Sequence, residues 1–221
     1  MSAAGAPRRL VHNRIELVLH TLRGGSGRAL LLLHGLAERS PERLPAELAA
    51  WPGPVLALDF TGHGASTVPA GGGYTAEILM GDADTALRAL GKATVMGRGL
   101  GAYVALLLAG ARPQQVRGAI LRDGIGLAGG GSRPASPTVV VADDDAVSPP
   151  DPLARAELSR DLRPPDYATS YVRQAAQLSG LERPVSVCAV ERPDWLAAVV
   201  EEPGVEETDL VEALALYAAL G

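Results

Sequence analysis

Short aliphatic runs alternate along this chain with longer segments whose apolar positions recur at helical spacing. That alternation predicts an α/β fold with a mostly parallel central sheet and helices on both faces, because strands covered on both sides lose their polar alternation. Ile15–Leu22 reads as an early strand, closed by the turn Gly24-Gly25-Ser26-Gly27. Ala29–Leu33 is a continuous aliphatic strand ending at His34-Gly35, and Val55–Phe60 is the next, ending at Thr61-Gly62-His63-Gly64. Pro41–Ala50, between them, leaves room for a short crossover helix. Thr75–Leu90 has helical spacing, with Thr75 as N-cap and Gly91 as C-cap. Ala93–Met96 predicts a strand running into Gly97-Arg98-Gly99-Leu100-Gly101, and Leu100–Ala109 an apolar, buried helix. Gly118–Leu121 and Thr138–Val141 predict two further strands, ending at Asp123-Gly124 and Asp143-Asp144-Asp145. Pro149–Ser179 reads as helix in two pieces broken at Pro164-Pro165, Val185–Val190 as the last strand, and Glu206–Leu220 as a terminal amphipathic helix. With no internal repeat and no linker, residues 1–221 are read as a single domain.

Composition narrows the function classes. Hydrophobic residues make up 47% and aromatics only 4%, so the core is built from Ala, Leu and Val. A net charge of −5 argues against nucleic acid as partner, because a phosphate-binding surface needs clustered Lys and Arg. The one cysteine, Cys188, rules out an internal disulfide and reads as a core residue. No run approaches the ~20 apolar residues that span a bilayer, and no apolar signal-type segment follows Met1–Arg9. The expectation is a cytoplasmic protein with no membrane partner.

Three segments carry a resemblance. Leu30-Leu31-Leu32-Leu33-His34-Gly35 looks like a strand and oxyanion loop, Asp59-Phe60-Thr61-Gly62-His63-Gly64-Ala65-Ser66 fits a D-x-x-G-x-G-x-S loop, and Gly97-Arg98-Gly99-Leu100-Gly101 stands where a G-x-S-x-G nucleophile elbow would. In this order, each after an aliphatic strand, they resemble the α/β-hydrolase superfamily over nearly the whole chain. The resemblance implies an α/β-hydrolase fold. Its cap insertion would fall around residues 124–137, where there is no room for one, so no cap domain is expected.

The same resemblance assigns catalytic positions, and two are filled by the wrong chemistry. The central elbow residue should supply a nucleophilic atom, and here it is Gly99. The acid falls in Ala142-Asp143-Asp144-Asp145, with Asp145 as the match and Asp144 as a competitor. The base should be a histidine after the last strand, where Asp194 stands instead. The four histidines are His12, His20, His34 and His63, so no base follows residue 63. The histidine of a triad takes the nucleophile's proton, so losing both together is self-consistent. By resemblance, the oxyanion-hole amides are those of Leu36 and Leu100, which need no side chain and could still meet a carboxylate or an ester carbonyl.

The leading expectation is a degenerate-triad, non-catalytic member that binds a small ester- or acid-like molecule or a protein partner that the sequence does not name. Its pocket would be bordered by His34, His63 and Arg98. The alternative is an esterase-like or carbonyl acid–base enzyme using Asp145, Asp194, His34 or His63 in the same pocket. A third is a structural subunit whose pocket has closed around Gly99. No cofactor is implied. The aspartate run alone does not make a metal site, because ligands must converge from several segments.

Overall fold

The computed structural model describes residues 5–130 and 149–220. Among these residues eight strands form one sheet: β1 (Gly5–His12), β2 (Ile15–Arg23), β3 (Ala29–Leu33), β4 (Val55–Asp59), β5 (Ala93–Arg98), β6 (Val116–Arg122), β7 (Val185–Val187) and β8 (Val205–Glu207). Their order is β1-β2-β4-β3-β5-β6-β7-β8. β1 and β2 pair antiparallel with each other, β2 runs antiparallel to β4, and the strands from β4 to β8 are parallel. The helices are α1 (Ala76–Leu90), α2 (Leu100–Ala111), α3 (Pro152–Arg160), α4 (Pro165–Leu178), α5 (Asp194–Val200) and α6 (Leu210–Ala218).

β3 and β4 are buried at every residue, as unbroken aliphatic strands must be when both faces are covered. One face packs on α1, α2, α4 and α5 through residues such as Leu31, Leu33, Val95 and Leu121. The other carries Leu30, Leu32, Ala57, Met96 and Ile120 against Leu48, Trp51 and α6. α2 is buried from Leu100 to Gly110, because it lies between the sheet and its helical neighbours. α1 begins where Thr75 Oγ1 accepts from Ile78 N–H and stops at Gly91, as its sequence predicts. The break at Pro164-Pro165 likewise separates α3 from α4.

The structure differs from the sequence expectation at β1, at Pro41–Ala50, and beyond β7, where α5 and β8 were not expected. β1 is a strand, although its residues are mostly exposed, because it is an edge strand held by β2 and buries little apolar surface. Pro41–Ala50 forms only a 3-10 turn at Ala46–Leu48. Val185–Val190 is not the last strand: β7 stops at Val187, and β8 follows at Val205–Glu207. β8 has three residues, two of them glutamates, so its hydrophobic pattern carries no strand signal. The expected strand Thr138–Val141 lies outside the described residues. Between β6 and β7, α3 is tied to the loops after β4, with Asp151 N–H donating to Gly62 O (2.9 Å) and Tyr74 Oη donating to Asp151 Oδ2 (2.5 Å).

Candidate functional site

The C-terminal ends of β3, β4, β5 and β6 bring the predicted motifs together. β5 turns into α2 through Gly99, whose backbone sits at φ 57°, ψ −123°. A side chain is strained there, and glycine adopts it at little cost. Gly97 lies so close to α2 that a Cβ on it would stand 2.0 Å from Gly101 O. The geometry is that of a sharp strand-to-helix elbow.

What faces the elbow is the chain itself. After β6, the backbone turns through Gly124 and Ile125 directly over Gly99. A Cβ on Gly99 would lie 2.1 Å from Ile125 O and 2.6 Å from Gly124 C. The same Ile125 carbonyl accepts from Leu36 N–H at 2.9 Å and from Leu100 N–H at 3.0 Å. The two amides expected to await an anion are therefore already engaged by a backbone oxygen.

This loop is held from its other side. Arg163 Nη1 donates to Gly126 O and to Leu127 O, and Trp195 Nε1 donates to Leu127 O at 2.8 Å. The Arg163 guanidinium stacks over Tyr103, 4.9 Å from the ring centroid, and Tyr103 meets Trp195 edge to face. Burial lowers the Arg163 pKa to about 10. Its Nε and Nη2 have no partner among the described residues.

His34 and His63 are both buried beside the elbow, with ring centroids 5.0 Å apart. Phe60 N–H donates to His34 Nε2 (3.1 Å), so Nδ1 carries the proton and donates to Gly35 O (2.8 Å). Ala37 N–H donates to His63 Nε2 (3.3 Å), and Nδ1 donates to Thr61 O (2.9 Å). Each ring spends both nitrogens on loop backbone. Burial, with the neighbouring ring's charge second, lowers His34 to about 3, and burial lowers His63 as well. Both are neutral imidazoles that brace the oxyanion-type and D-x-x-G-x-G-x-S loops.

Asp59 organises the second motif. Its carboxylate accepts from Ser40 N–H and Ala65 N–H at 2.8 Å each and meets His20 Nε2 at 2.8 Å. Burial raises its pKa, but these hydrogen bonds outweigh burial and hold it below the usual value. Ser66 Oγ donates to Asp59 O and accepts from Val18 N–H, which is a loop role.

Arg98 precedes the elbow glycine and pairs with Glu38 at 3.2 Å. Asp194 is exposed at the first residue of α5, so it precedes the last strand rather than following it. After β8 the chain reads Thr208-Asp209, where Thr208 N–H donates to Val187 O and Asp209 caps α6. No histidine stands there either. Asp144 and Asp145 lie outside the described residues. Among the described residues, no three His, Cys, Asp or Glu side chains gather as a metal site, and no helix is long and apolar enough to cross a membrane.

Sequence reasoning did not single out Ile125, Arg163 or Trp195. The glycines flanking Ile125, Gly124 and Gly126, were the available signal, because a backbone pressed onto an elbow leaves no room for side chains.

Comparison with known proteins agrees with the architecture. The family model for the alpha/beta hydrolase fold matches residues 28–182. The chain belongs to the α/β-hydrolase fold family. An esterase from Rhodococcus sp. is similar in structure with a TM-score of 0.70 at 20% identity, over 98% of this chain and 100% of that one. A thioesterase domain from the curacin biosynthetic pathway has a TM-score of 0.66 at 15% identity, over 99% of each chain. A thermophilic esterase from Thermogutta terrifontis has a TM-score of 0.62 at 20% identity, over 93% of this chain and 90% of that one. At these identities the likeness is one of fold. No curated protein matches the chain.

Proposed function

We propose that this chain is an α/β-hydrolase-fold protein without Ser-His-Asp catalysis, acting as a cytoplasmic binding module for a small molecule. One observation carries the reading. The Ile125 carbonyl occupies the space that a side chain on Gly99 would need and engages both amides that would stabilise an oxyanion. Nucleophile, base and electrostatic stabilisation each need a free atom at this point, and none is offered among the described residues. Further support comes from His34 and His63, whose nitrogens are committed to backbone. This weighs against the alternative enzyme built on those histidines. An open cavity on the other side of β5 favours a binding module over a purely structural subunit.

The test is hydrolysis of p-nitrophenyl acetate and butyrate by the purified protein. The expected rate equals that of buffer. Turnover that follows the protein through a second purification would overturn the reading. The Gly99→Ser exchange is not expected to restore activity, because the new side chain meets the Ile125 carbonyl before it meets a substrate.

A further inference from the structure

A cavity of roughly 300 Å³ opens at the C-terminal ends of β3–β6, on the face away from α2. Its described lining contains neither Gly99 nor Leu36 nor Leu100. The floor is apolar: Leu32 pairs in register with Ala57 on one side and with Met96 on the other. Above the floor, Arg98 and Arg122 stand directly opposite each other on β5 and β6. Like charges in register on neighbouring strands repel. Here each is set against one carboxylate, Arg98 against Glu38 and Arg122 against Glu47. Glu38 is itself fixed by accepting from Gly35 N–H at 2.9 Å. Arg39 also lines the rim and is paired with Glu42 at 2.9 Å, so each of the three guanidinium groups has one carboxylate partner; Arg98 and Arg122 each meet theirs through a single terminal nitrogen.

We infer that this cavity is the binding site of the module, and that it takes a small amphiphilic monoanion. The carboxylate head lies across Arg98 and Arg122, and the hydrocarbon tail lies on Leu32, Ala57 and Met96. Planar guanidinium forks suit a carboxylate, and two adjacent ones suit it better than a single exposed pair. The volume is at the lower end of the range for small-molecule pockets, which limits the tail to a short or medium chain. The elbow offers no equivalent place, because its donors are spent on Ile125. The inference rests on the binding-module reading and gives it a site and a ligand class.

The experiment is calorimetric titration with octanoate, with 1-octanol and octylammonium as probes of the same tail carrying no charge or the opposite one. Octanoate is expected to bind at one site, at least tenfold tighter than octanol, with octylammonium not binding. The Arg98→Met/Arg122→Met variant keeps apolar volume and is expected to weaken octanoate at least tenfold while leaving octanol unchanged. Ala57→Met, which fills the floor, is expected to weaken both, and circular dichroism of each variant verifies its fold. Equal affinity for octanoate and octanol, or octanoate binding indifferent to the arginine pair, overturns the proposal. So does the absence of binding. Esterase turnover with octanoate binding intact would instead sink the non-catalytic reading and leave this site standing.

Discussion

Gly99 sits at φ 57° with a backbone carbonyl packed against its Cα, so both strain and contact oppose any side chain there. The penalty arises at Cβ and not at a hydroxyl. Gly99→Ala and Gly99→Ser are therefore expected to lose similar stability, about 3 kcal/mol each in urea denaturation. If either variant matched the parent, the Ile125 loop would have to yield easily, and the closed-elbow argument would fail. The motif spacing made Gly99 legible as an elbow residue from the sequence. Ile125 was illegible for a physical reason: it acts through its carbonyl, and every residue has one. His34 and His63 were legible as residues beside the pocket because they sit inside its motifs, but that their rings spend both nitrogens on loop backbone was decided by the structure.

The elements around the elbow act as a clamp. Trp195 at the start of α5 and Arg163 before α4 both hold the carbonyls of the Gly124–Leu127 loop. Trp195→Phe keeps most of the packing but removes one hydrogen bond, at a cost of about 1 kcal/mol. Loosening the loop also loosens the acceptor of the Leu36 and Leu100 amides. Their hydrogen exchange is expected to quicken in that variant, while the amides of the β3–β5 ladder keep their protection. Uniform quickening would mean a global loss and no local clamp. Away from the site, Thr75→Ala removes the cap of α1 and is expected to cost about 1 kcal/mol by thermal denaturation. Helices with local stop and start signals, such as α1 and the α3–α4 pair, were readable in sequence. β1 and β8 were not, because one is exposed and the other has three residues, and both exist through pairing with a neighbour.

For the whole molecule, the buried neutral histidines tie stability to pH. Folding lowers the pKa of His34 to about 3 and lowers that of His63, while the unfolded chain binds protons near pH 6.5. Their contribution is complete above that value and is lost as pH falls below it, because the unfolded state takes up protons that the folded state refuses. Between pH 6.5 and 5, above most carboxylate titration, stability is expected to fall by up to about 1.4 kcal/mol per pH unit for each histidine. Urea midpoints measured from pH 7.5 to 5 check this, and a flat profile would show that the rings are protonated in place. At this scale, sequence and tertiary structure divided the work clearly. The sequence by itself determined the fold class, the order of most strands and helices, and the absence of a nucleophile at Gly99. Those properties follow from local pattern and residue chemistry. The tertiary structure alone decided that a carbonyl 26 residues away fills the elbow, that Asp194 precedes the last strand, and that Arg98 and Arg122 stand side by side over an apolar floor. Those facts depend on which distant segments meet, and meeting is set by sheet register and packing rather than by neighbours along the chain.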